Sequence, residues 1–370
     1  MEYAILIIIS LLISYRYQGK PKFRKYRLAW FFIGLYCVLL FGFRYRVGVD
    51  TLNYMEDYDN FPTLDKLTFD DILNATQAPF YVILSSLCRI ITPSFYLIQV
   101  IVSLIFNVCL MIFLRRYSLN PFLAFTVFFF MSGLYFNTEI LKEALAVGIF
   151  LLNIDNLFER RWKSYYLLAF FSLMFHYSAI VIFFFPFFSR LRLNWSFIVC
   201  VIVFFLVSKP LSDFLTPLIT FSSVADKIDV YKNLINDNRL NTNWIIYALL
   251  QAVLIPLIIL FISKKGKWKL GKFESLICLC VLLGLGCVYF EIVFQRFTNY
   301  VIIVYALCLS NFYASRRVKF IHKAIVALLF ITLYSFSYVS NGRYHIWFPY
   351  RSILNEEQII ERERYWHDNF

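Results

Sequence analysis

Arg44-Tyr-Arg-Val-Gly-Val-Asp-Thr-Leu-Asn-Tyr54 sets two arginines, a glycine and an aspartate directly after a sixteen-residue apolar run, residues 28–43. A chain that is 61% hydrophobic and only 16% charged needs a reason to place charge there. Runs like 28–43 recur along the whole sequence, which reads as a polytopic integral membrane protein. A crossing takes about 17 to 25 apolar residues, and shorter runs belong to broken or re-entrant helices buried in protein. Twelve runs qualify: 3–15, 28–43, 94–114, 121–136, 139–156, 164–175, 177–189, 195–208, 244–262, 274–290, 297–313 and 320–338. The expected fold is therefore all-α, with about twelve transmembrane helices, some short. Glu2 precedes the first run where a signal peptide would carry basic residues, so that run is expected to be a retained helix.

Charge in the loops orients these spans. Six short loops (16–27, 115–120, 157–163, 190–194, 263–273 and 314–319) hold 21 basic residues against one acid, Glu159. They are the cytoplasmic loops by the positive-inside rule. Residues 44–79, 209–243 and 340–370 together carry 11 basic and 16 acidic residues and belong outside, as do both termini. The net charge of +13 is thus an orientation signal and no argument for nucleic acid. Residues 80–91, with Arg89 inside, break the parity and read as an interfacial or re-entrant helix. The expected organisation is one integral membrane domain, 1–370. Outward loops at 44–93 and 209–243 carry short helices, and 340–370 forms an outward tail. All eight cysteines lie in apolar runs, as small buried side chains. No phosphate-binding loop, dinucleotide turn, paired-histidine metal pattern or Asp-x-Asp occurs.

Ionisable groups at membrane depth are functional candidates by default. Arg44, Arg46 and Asp50 follow the outer end of the second span. Asn137, Glu139, Lys142 and Glu143 open the fifth, where spacings of three and four put the charged residues on one helix face, in position for a local ion pair. Glu291 and Arg296 bracket the outer turn between the tenth and eleventh spans, with Asn299 and Tyr300 in the first turn beyond it. His176, at the break between 164–175 and 177–189, stands about twelve residues above a cytoplasmic flank. At about 1.5 Å per residue that is about 18 Å, past the midplane of a core of about 30 Å. The candidates therefore gather in the outer half of the bilayer. Arg44, Arg46 and Arg296 suit a multiply charged phosphate, since a guanidinium stays protonated and binds bidentately. Gly48 permits a positive-φ turn that swings Asp50 back toward the membrane mouth. Either Asp50 or His176 can take a proton from a hydroxyl. Tyr54 and Tyr300 are candidates to stack on sugar rings.

The stretch 44–54, Asn137 with Leu141-Lys-Glu-Ala-Leu-Ala146, Phe175-His-Tyr-Ser-Ala179, Gln295-Arg-Phe297 with Tyr300, and Pro349-Tyr-Arg351 together resemble the EpsG family of Wzy-like exopolysaccharide and O-antigen polymerases. Lys142-Glu143 departs from the Arg-Gln usual in that family, keeping a cation but losing the guanidinium fork. Arg46 is an additional arginine beside Arg44. The resemblance implies a glycosyltransferase, working without metal or other cofactor and with a GT-C-like fold as one possibility. It would join oligosaccharide repeat units linked to undecaprenyl diphosphate at the periplasmic side of the bacterial inner membrane. A flippase and a chain-length regulator are the implied protein partners. On that reading Arg44, Arg46, Lys142 and Arg296 hold the diphosphates, Asp50 or His176 is the base, and Tyr54, Asn137, Glu143 and Tyr300 position sugar. Two other classes compete. A lipid-linked oligosaccharide flippase would carry charge through the midplane and show two related halves, and neither is evident. A membrane acyltransferase would pair a histidine with Asp or Asn at a cytoplasmic entrance, whereas His176 lies in the outer half.

Overall fold

In the computed structural model, residues 2–17, 20–204, 206–207, 249–287, 291–340 and 347–369 are described. Among them the regular structure is helical, apart from one isolated antiparallel bridge between Arg44 and Ser352. In chain order the helices are α1 (Glu2–Arg16), α2 (Arg27–Gly42), α3 (Thr51–Asn60), α4 (Phe69–Asn74), α5 (Pro79–Ile91), α6 (Tyr96–Tyr117), α7 (Pro121–Phe128), α8 (Leu134–Thr138), α9 (Leu141–Phe158), α10 (Trp162–Phe175) and α11 (Phe185–Phe188). They continue as α12 (Trp195–Phe204), α13 (Ile255–Lys265), α14 (Glu274–Gly286), α15 (Glu291–Ala314), α16 (Phe320–Ser340) and α17 (Glu356–Asn369).

Among the described residues, four stretches are long and apolar enough to cross a membrane: Phe23–Gly42, Tyr96–Tyr117, Pro121–Thr138 and Val293–Ala314. Shorter apolar helices occupy Pro79–Ile91, Tyr177–Phe188, Trp195–Phe204 and Phe320–Tyr334. The chain is an all-α membrane protein, and the twelve expected spans are a finer count than these helices establish. Residues 209–243, expected to form an outward loop, lie outside the described residues, and residues 44–93 include the short helices α3, α4 and α5.

The chain packs as two compact units, Met1–Ile180 with Tyr338–Phe370, and Val181–Ser337. In the first, α6 packs against α2 and α9, α10 against α9 and α5, and α1 against α7. A polar stripe on α6 fixes its pairing with α2. Gln99, Ser103 and Asn107 recur every four residues and so share one face. Gln99 Nε2 donates to Gly42 O at 2.7 Å and Arg44 O at 3.0 Å, and Ser103 Oγ donates to Val38 O at 3.2 Å. In an apolar surround such bonds orient the pairing, because leaving their partners unmatched is expensive. The short helices dock on α6 and α9 through a buried cluster that includes Tyr54, Tyr58, Tyr81, Ile98, Leu141 and Leu145. In the second unit, α14 packs on α15 and α13.

α10 ends where the sequence suggests a break. His176 is extended (φ −157°, ψ 129°), and a 3-10 helix, Tyr177–Phe184, follows.

Candidate active site

The first unit builds a site from three segments: the loop after α2, the joint between α8 and α9, and the break after α10. Arg44 has no exposed surface. Its Nη1 donates to Phe41 O, one of the carbonyls that the end of α2 leaves without an intrahelical donor, and its Nε donates to Val47 O at 3.1 Å. Arg44 thus caps one helix and shapes the loop that follows. Its Nη2 has no hydrogen-bond partner among the described residues. Burial pulls the guanidinium down to about 10, with Glu139 among the groups that oppose this, so it is still a cation at neutral pH.

Arg46 adopts a left-handed conformation (φ +47°). Its carbonyl accepts from Arg362 Nε of α17 at 3.0 Å, and its guanidinium lies 3.8 Å from Glu363 and 5.4 Å from the centroid of the Tyr45 ring. The tail also pairs with this loop through its backbone, Tyr45 N donating to Arg351 O at 2.8 Å and Ile353 N to Phe43 O at 2.9 Å.

Gly48 has φ +105°, and a Cβ at that position would fall 2.7 Å from Thr138 O, so both the turn and the close approach demand glycine. The turn aims two amides at a carboxylate. Val49 N and Asp50 N donate to Glu139 Oε2 at 2.9 and 3.3 Å. Trp347 Nε1 and Thr138 Oγ1 donate to Glu139 Oε1 at 2.9 and 3.2 Å. Burial, joined by the like charge of Asp50, pushes the Glu139 carboxyl above its usual range, although these donors pull the other way.

This clamp corrects one expectation. Glu139 does not stand on the face of α9, because the helix begins only at Leu141 and Glu139 is held by the loop. Lys142, for its part, reaches across to Asp57 at 3.3 Å and to Gln77 Oε1. The ammonium also lies 4.8 Å from the centroid of Tyr54 and 5.5 Å from that of Tyr81. Tyr54 is buried, with its hydroxyl on Glu139 O at 2.8 Å, so its ring packs under Lys142 within the protein.

Glu143, 1% exposed, accepts from Ser178 Oγ at 3.2 Å, and Ser178 Oγ lies 2.7 Å from His176 Nδ1. Asn137 turns inward, its Nδ2 donating to Gly133 O and its Oδ1 accepting from Asn107 Nδ2, both at 2.8 Å. Eight of the ten expected site residues thus lie in the first unit. Arg44, Arg46, Asp50 and Tyr54 belong to the segment clamped to Glu139, Lys142 and Glu143 to the first turn of α9, and His176 joins Glu143 through Ser178.

The EpsG family matches residues 27–352 of this sequence, most of its length. The chain belongs to the EpsG family. EpsG proteins are Wzy-like polysaccharide polymerases. No curated protein and no solved structure gives a significant match. The EpsG match takes in all ten expected site residues and ends at the bridge partner Ser352, so Arg362 and Glu363, which hold Arg46, lie beyond it.

The two remaining EpsG candidates, Arg296 and Tyr300, belong to the second unit. They correct a second expectation. α15 already begins at Glu291, so Arg296 stands within the helix and not at a turn, and Tyr300 lies well inside it, fully buried. Ile292, Val293 and Phe294 carry the apolar pattern across the presumed turn, and two charged side chains do not interrupt a helix.

Sequence reasoning assigned no role to Ser178, Trp347, Asp57 or Gln77. Ser178 lies inside the quoted Phe175–Ala179 motif and was within reach of that reading. The contact of Trp347 with Glu139 spans 208 residues and leaves no local signal.

Proposed function

We propose that this EpsG protein joins oligosaccharide repeat units carried on undecaprenyl diphosphate, transferring the growing glycan to a sugar hydroxyl of the incoming unit at the periplasmic face of the inner membrane. The observation that carries the proposal is the joint itself: the loop that carries Arg46 and Asp50 is clamped to Glu139, three residues before Lys142 and four before Glu143, which Ser178 joins to His176. Glycosyl transfer from a diphosphate needs these elements: cations for the charge that develops on the leaving group, and a base for the attacking hydroxyl.

Arg46 and Lys142 are the proposed diphosphate ligands, while Arg44 shapes the loop that carries Arg46. His176 is the favoured base because a chain of hydrogen bonds backs it, whereas Asp50 shares its surroundings with the like-charged Glu139. Glu143 is turned to Ser178, Asn137 to Asn107, and the Tyr54 ring to Lys142, so these residues support the site from behind and do not contact sugar directly. An apolar groove of about 410 Å³ between α1 and α2, lined by Ile5, Ile9, Phe32, Ile33 and Leu39 among others, offers a path for a polyprenyl chain.

The test is reconstitution in liposomes with a defined undecaprenyl-diphosphate repeat unit and no nucleotide, followed by product sizing. A ladder of longer glycans is expected. Lipid that only changes leaflet would refute polymerisation. His176→Gln is expected to remove the ladder and Asp50→Asn to retain part of it; the reverse pattern would move the base to Asp50.

A further inference from the structure

Ser178 stands between a buried acid and the proposed base. Glu143 is 1% exposed and Ser178 9%. The hydroxyl lies 3.2 Å from Glu143 Oε1 and 2.7 Å from His176 Nδ1. A serine hydroxyl has one proton, and an ionised carboxylate can only accept. If that proton points to Glu143, Nδ1 must donate to Oγ, and the Nε2 lone pair becomes the basic one. The competing arrangement also has geometry behind it, since Ser178 N approaches His176 Nδ1 at 3.3 Å and would need Nδ1 unprotonated. The shorter contact and the buried carboxylate favour the first. The break after α10 holds the partners in register: His176 N donates to Ser172 O at 3.1 Å, Ala179 N to His176 O at 3.0 Å, and Ser172 Oγ ties α10 to Ala146 O of α9 at 3.1 Å.

We infer that Ser178 is a positioning residue that, with Glu143 behind it, holds His176 in the Nδ1–H tautomer so that Nε2 takes the proton of the acceptor hydroxyl. This rests on His176 being the base of the proposed transfer. In that step the acceptor O–H breaks and its proton passes to Nε2. The oxygen's electron pair forms the new bond to the anomeric carbon, and the anomeric C–O bond breaks with its pair on the diphosphate. The imidazolium so formed donates through Nδ1 to Ser178, whose own proton faces Glu143, so the carboxylate stabilises the charge through one intervening hydroxyl. The proton then leaves to water.

Histidine-selective 15N solid-state NMR on the full chain in bilayers reads the tautomer directly. The chain has four histidines, and the difference from His176→Gln assigns the signal. At a pH where His176 is neutral, a protonated Nδ1 and an unprotonated Nε2 are expected. Ser178→Ala should shift the population toward Nε2–H, and Ser178→Thr should restore it. Nε2–H in the wild type, or an Nδ1–H signal unmoved by Ser178→Ala, would overturn the inference. Turnover supplies a second measurement: Ser178→Ala should lower kcat on the order of 10- to 100-fold with KM nearly constant, and Ser178→Thr should recover most of it. Glu143→Gln keeps an acceptor for the hydroxyl and tests the charge alone, with kcat expected to fall about 10-fold; an unchanged kcat would overturn the role of the carboxylate. The spectrum needs no substrate. Wild-type protein with Nδ1–H that makes no polymer would therefore refute the proposed reaction and leave the relay intact.

Discussion

Glu139 offers the sharpest quantitative test of the site, because both its oxygens only accept. Oε2 takes two backbone amides, Oε1 takes the Trp347 indole and the Thr138 hydroxyl, and the carboxylate is nearly buried. Replacing it with glutamine removes the charge, which relieves desolvation, and turns one oxygen into a donor. With the amide oxygen kept on Val49 and Asp50, the new NH2 faces the Trp347 N–H, a donor against a donor. Hydrogen bonds to a charged group contribute about 1.5–3 kcal/mol and a buried donor left unmatched costs about 1–3 kcal/mol, so the single substitution sums opposing effects of similar size. A double-mutant cycle separates them, because relief of desolvation enters Glu139→Gln equally in both backgrounds and cancels. Trp347→Phe should destabilise the wild type by about 1–2 kcal/mol through the lost donor. In the Glu139→Gln background it should cost nothing or stabilise, because it removes the opposed donor, a coupling of at least about 1–2 kcal/mol. Hydrogen exchange of the peptide covering 45–54, with the protein in bilayers, reads the clamp through the Val49 and Asp50 amides, where 1.4 kcal/mol is a tenfold change in exchange. A coupling below about 0.5 kcal/mol would mean that Trp347 and Glu139 act independently and that the clamp does not hold the loop.

Gly48→Ala meets both a positive φ and a contact of 2.7 Å with Thr138 O, so it should destabilise the protein by at least about 2 kcal/mol and abolish long glycans; wild-type melting in detergent would refute the close approach. Removing α17 by truncation after Ile353 takes away Arg362 and Glu363, and faster exchange is expected in 43–47 while the α6–α9 core keeps its protection; equal exchange would show that the tail does not hold Arg46. Asp57→Asn withdraws the carboxylate paired with Lys142 and should lower KM for a diphosphate lipid several-fold, and a raised KM would argue that the pair positions Lys142 instead. Because the Glu139 carboxyl is raised in the folded state, the folded chain binds its proton more tightly than the unfolded chain does, so ionisation costs stability above the raised value and that cost is relieved as pH falls through it. Wild type should therefore gain melting temperature relative to Glu139→Gln on acidification from neutral pH, and a constant difference would exclude the shift.

The stretch after α2 was legible because charge after a long apolar run is a local feature. The positive φ at Gly48 and the helix break at His176 were legible for the same reason, since both are properties of backbone next to particular residue types. What the residues hold was less legible. Spacing alone put Glu139 and Lys142 on one face, but spacing assumes a continuous helix, and a carboxylate that can accept four donors ends up where the donors are. Likewise Arg296 reads as a loop residue only if charge marks loops; in a helix with Ile292, Val293 and Phe294 beside it the backbone has no reason to stop. The contacts of Trp347, Arg362 and Glu363 join the tail to positions more than 200 residues away and depend on packing that no local pattern encodes.

The structure also separates two arginines that the sequence could not. Lys142 reaches the Asp57 carboxylate and Gln77 Oε1, and Arg46 lies by the Glu363 carboxylate, anions that phosphate oxygens can replace. Exchanging one anion for another leaves the cation no more desolvated than before, so on the proposed reaction a diphosphate would meet cations already held in place. Arg44 is held differently. Its two bonds run to Phe41 O and Val47 O, carbonyls that close α2 and shape the loop, and a ligand that drew the guanidinium away would leave both unmatched in a buried position. Arg44 therefore keeps its place, whereas for Arg46 and Lys142 a phosphate oxygen would replace a carboxylate. On the proposed reaction that divides the work: Arg44 fixes where the loop stands, and the two exchangeable cations meet the charge that develops as the glycosidic phosphate leaves.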